Sequence, residues 1–413
     1  MRISTLQALT VAAICMLPTA VIAADPGREP LTLARVIELS SASAPDVRLA
    51  LIRVAEGEAN LAGARVRTLE NPKLELNAGP RTGTENSIDA EVGIEIPIEL
   101  GSRRSKRVAL AQAGIRREKQ ATEDVRRQAV TAAVGAYYRV LQAEEQLGLA
   151  EGRKKLAQEL LRTAKERHVA GDVAKFEVNL ALTEAARAES EVSSAQGGIA
   201  SKRSALARAL GLPSAADLQV TGSIKERSFF DAIGSAPGPA KRADLRTALA
   251  DVEAARAAIS LAEADRLPDV ALRISYKREG DDNVALGGVS VSLPFLNPRQ
   301  AQVQVARLQQ QRAQLAAEIG QAAIAAEMEG ARYAYAAAVQ AVRRMEADGL
   351  VLQQENESLA QESYRTGKIN LPTLLQLRRE ALETRREYLE LLSAAAEAGV
   401  ELASASGLWT TAD

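Results

Sequence analysis

Glu91-Val92-Gly93-Ile94-Glu95-Ile96-Pro97-Ile98-Glu99-Leu100 sets apolar residues at every second position with carboxylates between them. Val92, Ile94, Ile96 and Ile98 share one face, opposite Glu91, Glu95 and Glu99, which is the pattern of a strand with one apolar side. Three more segments alternate in the same way. In Lys73 to Ala78, Leu74, Leu76 and Ala78 oppose Lys73, Glu75 and Asn77. In Asp269 to Lys277, Val270, Leu272, Ile274 and Tyr276 oppose Arg273, Ser275 and Lys277. In Ala285 to Leu293, Val289, Val291 and Leu293 oppose Gly288, Ser290 and Ser292. The reading gives strands over about 73–78, 90–100, 269–277 and 285–293, arranged as two hairpins with polar loops around Arg81 to Asp89 and Arg278 to Asn283. A tilted strand of about 9–11 residues crosses a bilayer. A sheet lying on a soluble core shows the same alternation, so the surrounding sequence has to decide.

Each hairpin is followed by a long proline-free helical stretch, Gly101 to Val169 and Arg299 to Thr366. Shorter helical patterns flank them: Asp46 to Glu70, Phe176 to Leu210, Ala243 to Arg266 and Pro372 to Ser406. At 1.5 Å per residue the long stretches span about 100 Å, and two short ones stacked end to end span about 90 Å. This predicts a wall of uniform height in which two short helices match one long one.

The plan occurs twice. Pro72 and Pro268, Tyr137 and Tyr333, and Gly171 and Gly367 are each 196 apart, as are Ala209-Leu210-Gly211-Leu212 and Ala405-Ser406-Gly407-Leu408. Pro97 and Pro294 are 197 apart, and Asp46-Val47-Arg48 and Asp244-Leu245-Arg246 are 198 apart. Shared Ala-rich composition explains similar content but not this register. Residues 24–212 form the first repeat and 242–413 the second, joined by a Pro-, Gly- and Ser-rich linker over 213–241.

Lys plus Arg (52) balances Asp plus Glu (53), which gives no reason to expect a nucleic-acid partner. A mean hydropathy of -0.12 is too polar for a protein of membrane-spanning helices. Arg2, the apolar stretch Leu6 to Leu17, Pro18 and the small residues Ala20, Ala23 and Ala24 read as an export signal over 1–23, cleaved after Ala23 or Ala24. Cys15, the one cysteine, lies inside it, so the mature chain has no disulfide.

Export puts the alternating strands where outer-membrane barrels are the spanning option. Four strands cannot close a barrel, and an open sheet edge in lipid costs several kcal/mol per unpaired backbone group. Membrane insertion therefore requires several chains to pool strands, and strand count leaves two, three or four subunits open. In a barrel the polar face lines the lumen, which makes Glu75, Glu91, Glu95, Arg273 and Lys277 the lumen candidates. Aromatic girdles are thin: only Tyr276 and Phe295 lie near strand ends.

With this plan, the chain resembles the TolC-type outer-membrane efflux family from about Leu31 to Trp409. The resemblance is carried by the duplicated helix–hairpin–helix order and by two matching turns. These are Glu166-Arg167-His168-Val169-Ala170-Gly171-Asp172-Val173 and Ser363-Tyr364-Arg365-Thr366-Gly367-Lys368-Ile369-Asn370. Ile96-Pro97-Ile98-Glu99-Leu100-Gly101-Ser102-Arg103-Arg104 is similar to the segment after the first hairpin in the cobalt–zinc–cadmium branch. The resemblance implies a mainly α fold with a β-barrel portion: a homotrimer with a twelve-stranded barrel in the outer membrane on a periplasmic α-helical barrel. It implies an equatorial belt from the linker, a periplasmic adaptor and an inner-membrane pump of the resistance–nodulation–division (RND) type as partners, and a divalent heavy-metal cargo. The turns then form the periplasmic tip, with Arg167, Gly171, Asp172, Tyr364, Arg365, Gly367 and Lys368 as adaptor contacts. Where TolC narrows its tip with aspartates, this chain has Thr373 and Gln376, and Glu177 is the alternative source of an acidic ring.

Gly171 and Gly367 fit the left-handed position that ends a helix. The basic cluster Arg103, Arg104, Lys106 and Arg107 reads as a solvated helix start capped by Ser102, with contact to anionic headgroups as the alternative. One histidine, His168, and no mature cysteine supply too few ligands for a high-affinity transition-metal site, and no cofactor is expected. There is no phosphate loop, nucleophile elbow or His-centred triad, so no enzyme is expected. The competing reading is a periplasmic coiled-coil adaptor or scaffold that spans no membrane, which would share the helices but has no use for repeated membrane-length hairpins.

Overall fold

The computed structural model describes residues 30–82, 87–215, 218–226, 242–295 and 297–409. The expected export signal, Cys15 and most of the second half of the linker lie outside the described residues. The helices are α1 Leu33–Ser43, α2 Pro45–Ala64, α3 Arg103–Val169, α4 Lys175–Leu210, α5 Ala243–Ala264, α6 Gln300–Arg344, α7 Leu350–Arg365 and α8 Leu371–Ala405. A π-helical segment, Met345–Gly349, joins α6 to α7. The strands are β1 Lys73–Arg81, β2 Ser87–Ile98, β3 Val270–Glu279 and β4 Asp282–Val291, one antiparallel sheet in the order β1-β2-β3-β4.

Across the wall, α3 runs the full height, about 100 Å for its 67 residues. On one side of it stand α2 and α4. On the other stand α5 and α8, and beyond them α6 and α7. The short helices stack end to end. A Cβ on Gly211, at the end of α4, would lie 3.0 Å from Ser43 O and 3.2 Å from Pro45 Cδ, at the start of α2. At the start of α5, Arg242 donates to Ala405 O (3.2 Å), at the end of α8.

The core sits at mid-height. Val130, Val134, Val140 and Leu141 of α3 pack with Leu206 and Leu210 of α4, Leu392 and Val400 of α8, and Val342 of α6. Tyr137 and Tyr138 meet edge-on at 5.3 Å, and the Tyr137 hydroxyl donates to Thr221 O (2.8 Å). Burial pushes the Tyr137 phenol up to about 12 and raises Tyr138 further in the same direction. The start of the described chain joins this level: Leu31 forms a parallel bridge with Val220, with Leu31 N donating to Gln219 O (2.8 Å).

Several boundaries differ from the sequence reading. Helix α1 and the Leu31 bridge have no counterpart in it. Helix α2 ends at Ala64 rather than Glu70. Its last carbonyls are taken by side chains: Ala64 O and Val66 O accept from Arg107, and Arg65 O from Arg104. The second long helix is not continuous but widens at Met345–Gly349. Gly349 lies where a Cβ would fall 2.4 Å from Met345 Sδ. Strands β3 and β4 run into the expected loop, leaving a two-residue turn, Gly280-Asp281, with Gly280 at φ 62° as a primed hairpin turn favours.

Candidate functional site

The sheet carries two unlike faces. In register, Lys73, Glu95 and Arg273 stand side by side, as do Asn77, Glu91 and Lys277. Arg273 donates to Glu75 on the same face. All five sequence-predicted lumen residues therefore share one polar face. Acid and base alternate across it, an arrangement that stabilises neighbouring strands and favours neither sign of ion. Near the hairpin ends, Arg81 pairs with Asp89 (3.1 Å) and Glu279 (3.2 Å), and Gly280 N donates to Asp89 (3.1 Å). These contacts lace the two hairpins together.

The other face is apolar, and its own chain leaves it open. Leu74 is 67% exposed, Ile274 51% and Val289 67%, although all lie on regular strands. Beyond the strands, Phe295 is 75% exposed. The outer edges of β1 and β4 have no pairing partner among the described residues. The helical wall repeats this at both edges. Leu49 and Ile52 of α2 and Leu182 of α4 are exposed on one side, and Leu308, Leu315 and Ile319 of α6 with Val351 of α7 on the other. Among the described residues no helix is long and apolar enough to cross a membrane.

Where the strands meet the helices, arginines act as staples. Arg103 is buried; its guanidinium donates to Ala264 O (3.1 Å), to Leu267 O and to Asp269. Arg107 donates to Glu99 (2.7 Å) as well as to the end of α2. Arg299 donates to Asp265 O (2.6 Å) and Asp269 (3.2 Å). These cations neutralise the exposed carbonyls at the C-termini of α2 and α5. The sequence reading of a solvated, Ser102-capped start is corrected here. Ser102 makes no side-chain cap and sits at φ 61°, and Arg299, which like Ser102 immediately precedes its long helix, sits at φ 53°. An arginine at the start of each long helix, Arg103 in the first and Arg299 in the second, is the only trace of these staples in the sequence.

At the far end, both turns are built alike. Gly171 has φ 85°, its N–H donating to His168 O (3.0 Å) and that of Asp172 to Arg167 O (2.8 Å). Gly367 has φ 72°, with Gly367 N donating to Tyr364 O (3.0 Å) and Lys368 N to Ser363 O (2.8 Å). This pair of bonds satisfies the last carbonyls of α3 and α7 and requires a left-handed residue. His168 Nδ1 donates to Val173 O (2.9 Å) within its own turn. Gly171, Asp172, Arg365, Gly367 and Lys368 face solvent, and Arg167 is half-buried.

Tyr364 departs from the reading as an adaptor contact. It is buried with Leu160, Leu371 and Leu374, and Arg167 lies over its ring at 5.4 Å. It ties one turn to the other, because an aromatic ring at this spot completes the apolar cluster that the described residues form near the tip. Thr373 is committed as well: its hydroxyl donates to Asn370 Oδ1 (2.7 Å) in the cap of α8. Gln376 is exposed and donates to Glu380 (3.4 Å), and Glu177 is half-buried in the first turn of α4. The sequence reading missed Val169 and Phe176, which are 89% and 65% exposed beside Gly171. No cluster of three or more metal-ligating side chains occurs among the described residues.

Comparison with known proteins fits this geometry. The model of the family "Outer membrane efflux protein" matches residues 36–212 and 239–408, one segment for each repeat. The cobalt-zinc-cadmium resistance protein CzcC of Cupriavidus metallidurans is 29% identical over 304 residues, 69% of this chain and 68% of that protein. Among solved structures, a membrane protein of Pseudomonas aeruginosa superposes with a TM-score of 0.76 at 18% identity, covering 91% of this chain and 90% of that one. CusC, whose structures describe transmembrane channel formation, superposes at 0.71 with 19% identity, covering 91% and 92%.

Proposed function

Since this chain belongs to the outer membrane efflux protein family, we propose that it is the channel subunit of a tripartite efflux pump, a passive exit duct anchored in the outer membrane. One observation carries the reading: a four-stranded sheet with an uncovered apolar face and two free edges, continuous with a helical wall that is apolar at both edges. In antiparallel order, β4 of one copy meets β1 of the next without breaking the alternation, and α6 with α7 meets α2 with α4. The contact is head-to-tail, the kind that generates a ring when its rotation closes. We take the ring as a homotrimer. Twelve strands about 4.8 Å apart, tilted by about 40°, enclose a backbone cylinder roughly 24 Å across.

In this arrangement Glu75, Glu91, Glu95, Arg273 and Lys277 line the lumen of the barrel, and the apolar face meets lipid. The helical barrel extends into the periplasm. Residues 1–23 act as the export signal, and the linker around 213–241 forms the equatorial belt beside the Leu31–Val220 bridge. The tip, with Gly171, Asp172, Arg365, Gly367, Lys368 and the exposed Val169 and Phe176, takes the adaptor hairpins. Glu177 supplies the acidic group of a tip constriction, with Gln376 lining it. The energy comes from an inner-membrane RND-type pump. Kinship with CzcC supports divalent heavy-metal cations as cargo. They pass the interleaved charges of the lumen without a binding site.

Fractionation in a Gram-negative host tests the reading. The protein should partition with the outer membrane and run as a trimer unless boiled, and deletion should raise sensitivity to cobalt, zinc or cadmium. Recovery in the soluble periplasm would exclude a channel. An integral trimer without a metal phenotype would remove the cargo alone.

A further inference from the structure

The lower tube contains a slot between the α3–α4 pair and the α7–α8 pair of a single protomer. It encloses about 220 Å³ and runs from Gly148 to Leu160 along α3, about 18 Å at helical rise. Gly148 and Gly152 open it on the α3 side, where a Cβ would meet nothing within 4 Å. Leu156, Leu375 and Leu382 give it an apolar lining.

Six charged groups face the slot, and five are spoken for. Arg153 pairs with Glu184 (2.6 Å), Arg379 reaches the same carboxylate (3.5 Å), and Arg385 pairs with Glu357 (2.7 Å). Arg378 alone makes no ion pair and no hydrogen bond among the described residues, although it is half-buried. Burial pulls its guanidinium below the ordinary value, and Glu357 and Glu159 act on it only from a distance. The lining carries four guanidiniums against two carboxylates. A partly desolvated cation without a partner is costly, and an anion in the slot would relieve that cost.

We propose that this slot binds a single-chain amphipathic anion, a carboxylate or sulfonate on a hydrocarbon tail, with Arg378 holding the head and the leucine lining holding the tail. Length and volume both fit: an apolar cavity of about 150 Å³ already takes benzene, and a longer, narrow slot takes a chain. A metal cation is disfavoured by the positive lining. The slot lies within one protomer, so the proposal does not depend on the ring or its cargo.

Equilibrium dialysis of the purified assembled protein in maltoside micelles tests it, with labelled decanoate as probe and decanol and acetate as controls. The expected result is saturable decanoate binding, at least tenfold tighter than decanol, and none of acetate. Arg378→Met should weaken decanoate at least tenfold, and so should Gly152→Leu, which fills the slot and leaves Arg378 in place. Lys155→Gln, on the exposed face of α3, should change nothing. Decanoate should raise the thermal midpoint of the native protein, whereas Arg378→Met should melt no lower than native without ligand. The absence of saturable decanoate binding to the native protein, equal binding of decanol, or undiminished binding by both variants would overturn the assignment. Should one variant fail to assemble, the decanoate-to-decanol ratio on the native protein still decides.

Discussion

Replacing Ile274 by arginine tests which face of the sheet meets hydrocarbon. Ile274 lies midway along β3, between Ile94 and Gly287 in register, and half its surface is open in the protomer. An arginine at the lipid-facing midplane of a barrel costs roughly 2–4 kcal/mol. In one protomer that is about a 30- to 1,000-fold loss in the folding equilibrium. The loss is cubed when three copies unfold together. Glu91→Arg installs the same side chain on the polar face, beside Lys277. Its cost is only the repulsion of neighbouring like charges, about 1 kcal/mol or less. On a soluble sheet with a hydrated outer face, Ile274→Arg would stay within about 0.5 kcal/mol. Urea titration of the protein refolded into lipid vesicles, read by tryptophan emission and by the fraction resisting dissociation without boiling, separates these cases. A neutral Ile274→Arg, or a Glu91→Arg that costs as much, would refute the assignment of faces.

Arg103→Met should lower stability by about 2–4 kcal/mol in chemical unfolding, because the carbonyls of Ala264 and Leu267 lose their donor; Arg103→Lys should recover only part, as an ammonium cannot reach the same fork of acceptors. Gly171→Ala should cost only about 1 kcal/mol, the strain of a left-handed residue in open space, whereas Gly211→Ala, which meets the Ser43 carbonyl and Pro45, should cost clearly more by thermal melting. Acid should weaken the junction of α5 and α8. Burial alone would raise the Asp244 carboxyl, but its bonds to Arg242 (2.7 and 3.1 Å) and the charge of Arg127 outweigh it and hold the carboxyl below its usual value. Its contribution is therefore complete above about pH 4, the unfolded value, and is lost as pH falls through the depressed folded value. Asp244→Asn should cost roughly 2 kcal/mol at neutral pH and flatten the acid limb of a pH–stability curve; an unchanged acid limb would assign it to other carboxylates such as Glu184.

Much of this architecture is legible in the sequence because its signals are local. Period-two alternation located all four strands, and the absence of proline over Gly101 to Val169 located α3 almost to the residue. The glycine stops at 171, 211 and 367 follow from the backbone shape a helix end requires. What escaped depends on partners distant in sequence. Arg103 reads as a surface cation until the carbonyls of Ala264 and Leu267, some 160 positions away, are brought to it. Tyr364 reads as an exposed turn residue until Leu371 and Leu160 close around it. Helix α1 is short and its apolar residues pack on a core assembled from four other helices, so its own sequence gives it little weight. The widened turn at Met345–Gly349 carries no marker except one glycine in a long helical pattern. The candidate site shows the same division. The face of the sheet on which Glu75, Glu91, Glu95, Arg273 and Lys277 lie follows from alternation, whereas the unpaired state of Arg378 emerges only when four helices meet.

Single cysteines placed one at a time along β3, from Val270 to Lys277, and spin-labelled in lipid vesicles give the most direct measurement. The account predicts that Val270, Leu272, Ile274 and Tyr276 are reached by oxygen dissolved in hydrocarbon, and Ala271, Arg273, Ser275 and Lys277 by a water-soluble nickel chelate. Uniform contact with water along the whole strand, or loss of the two-residue period, would contradict it.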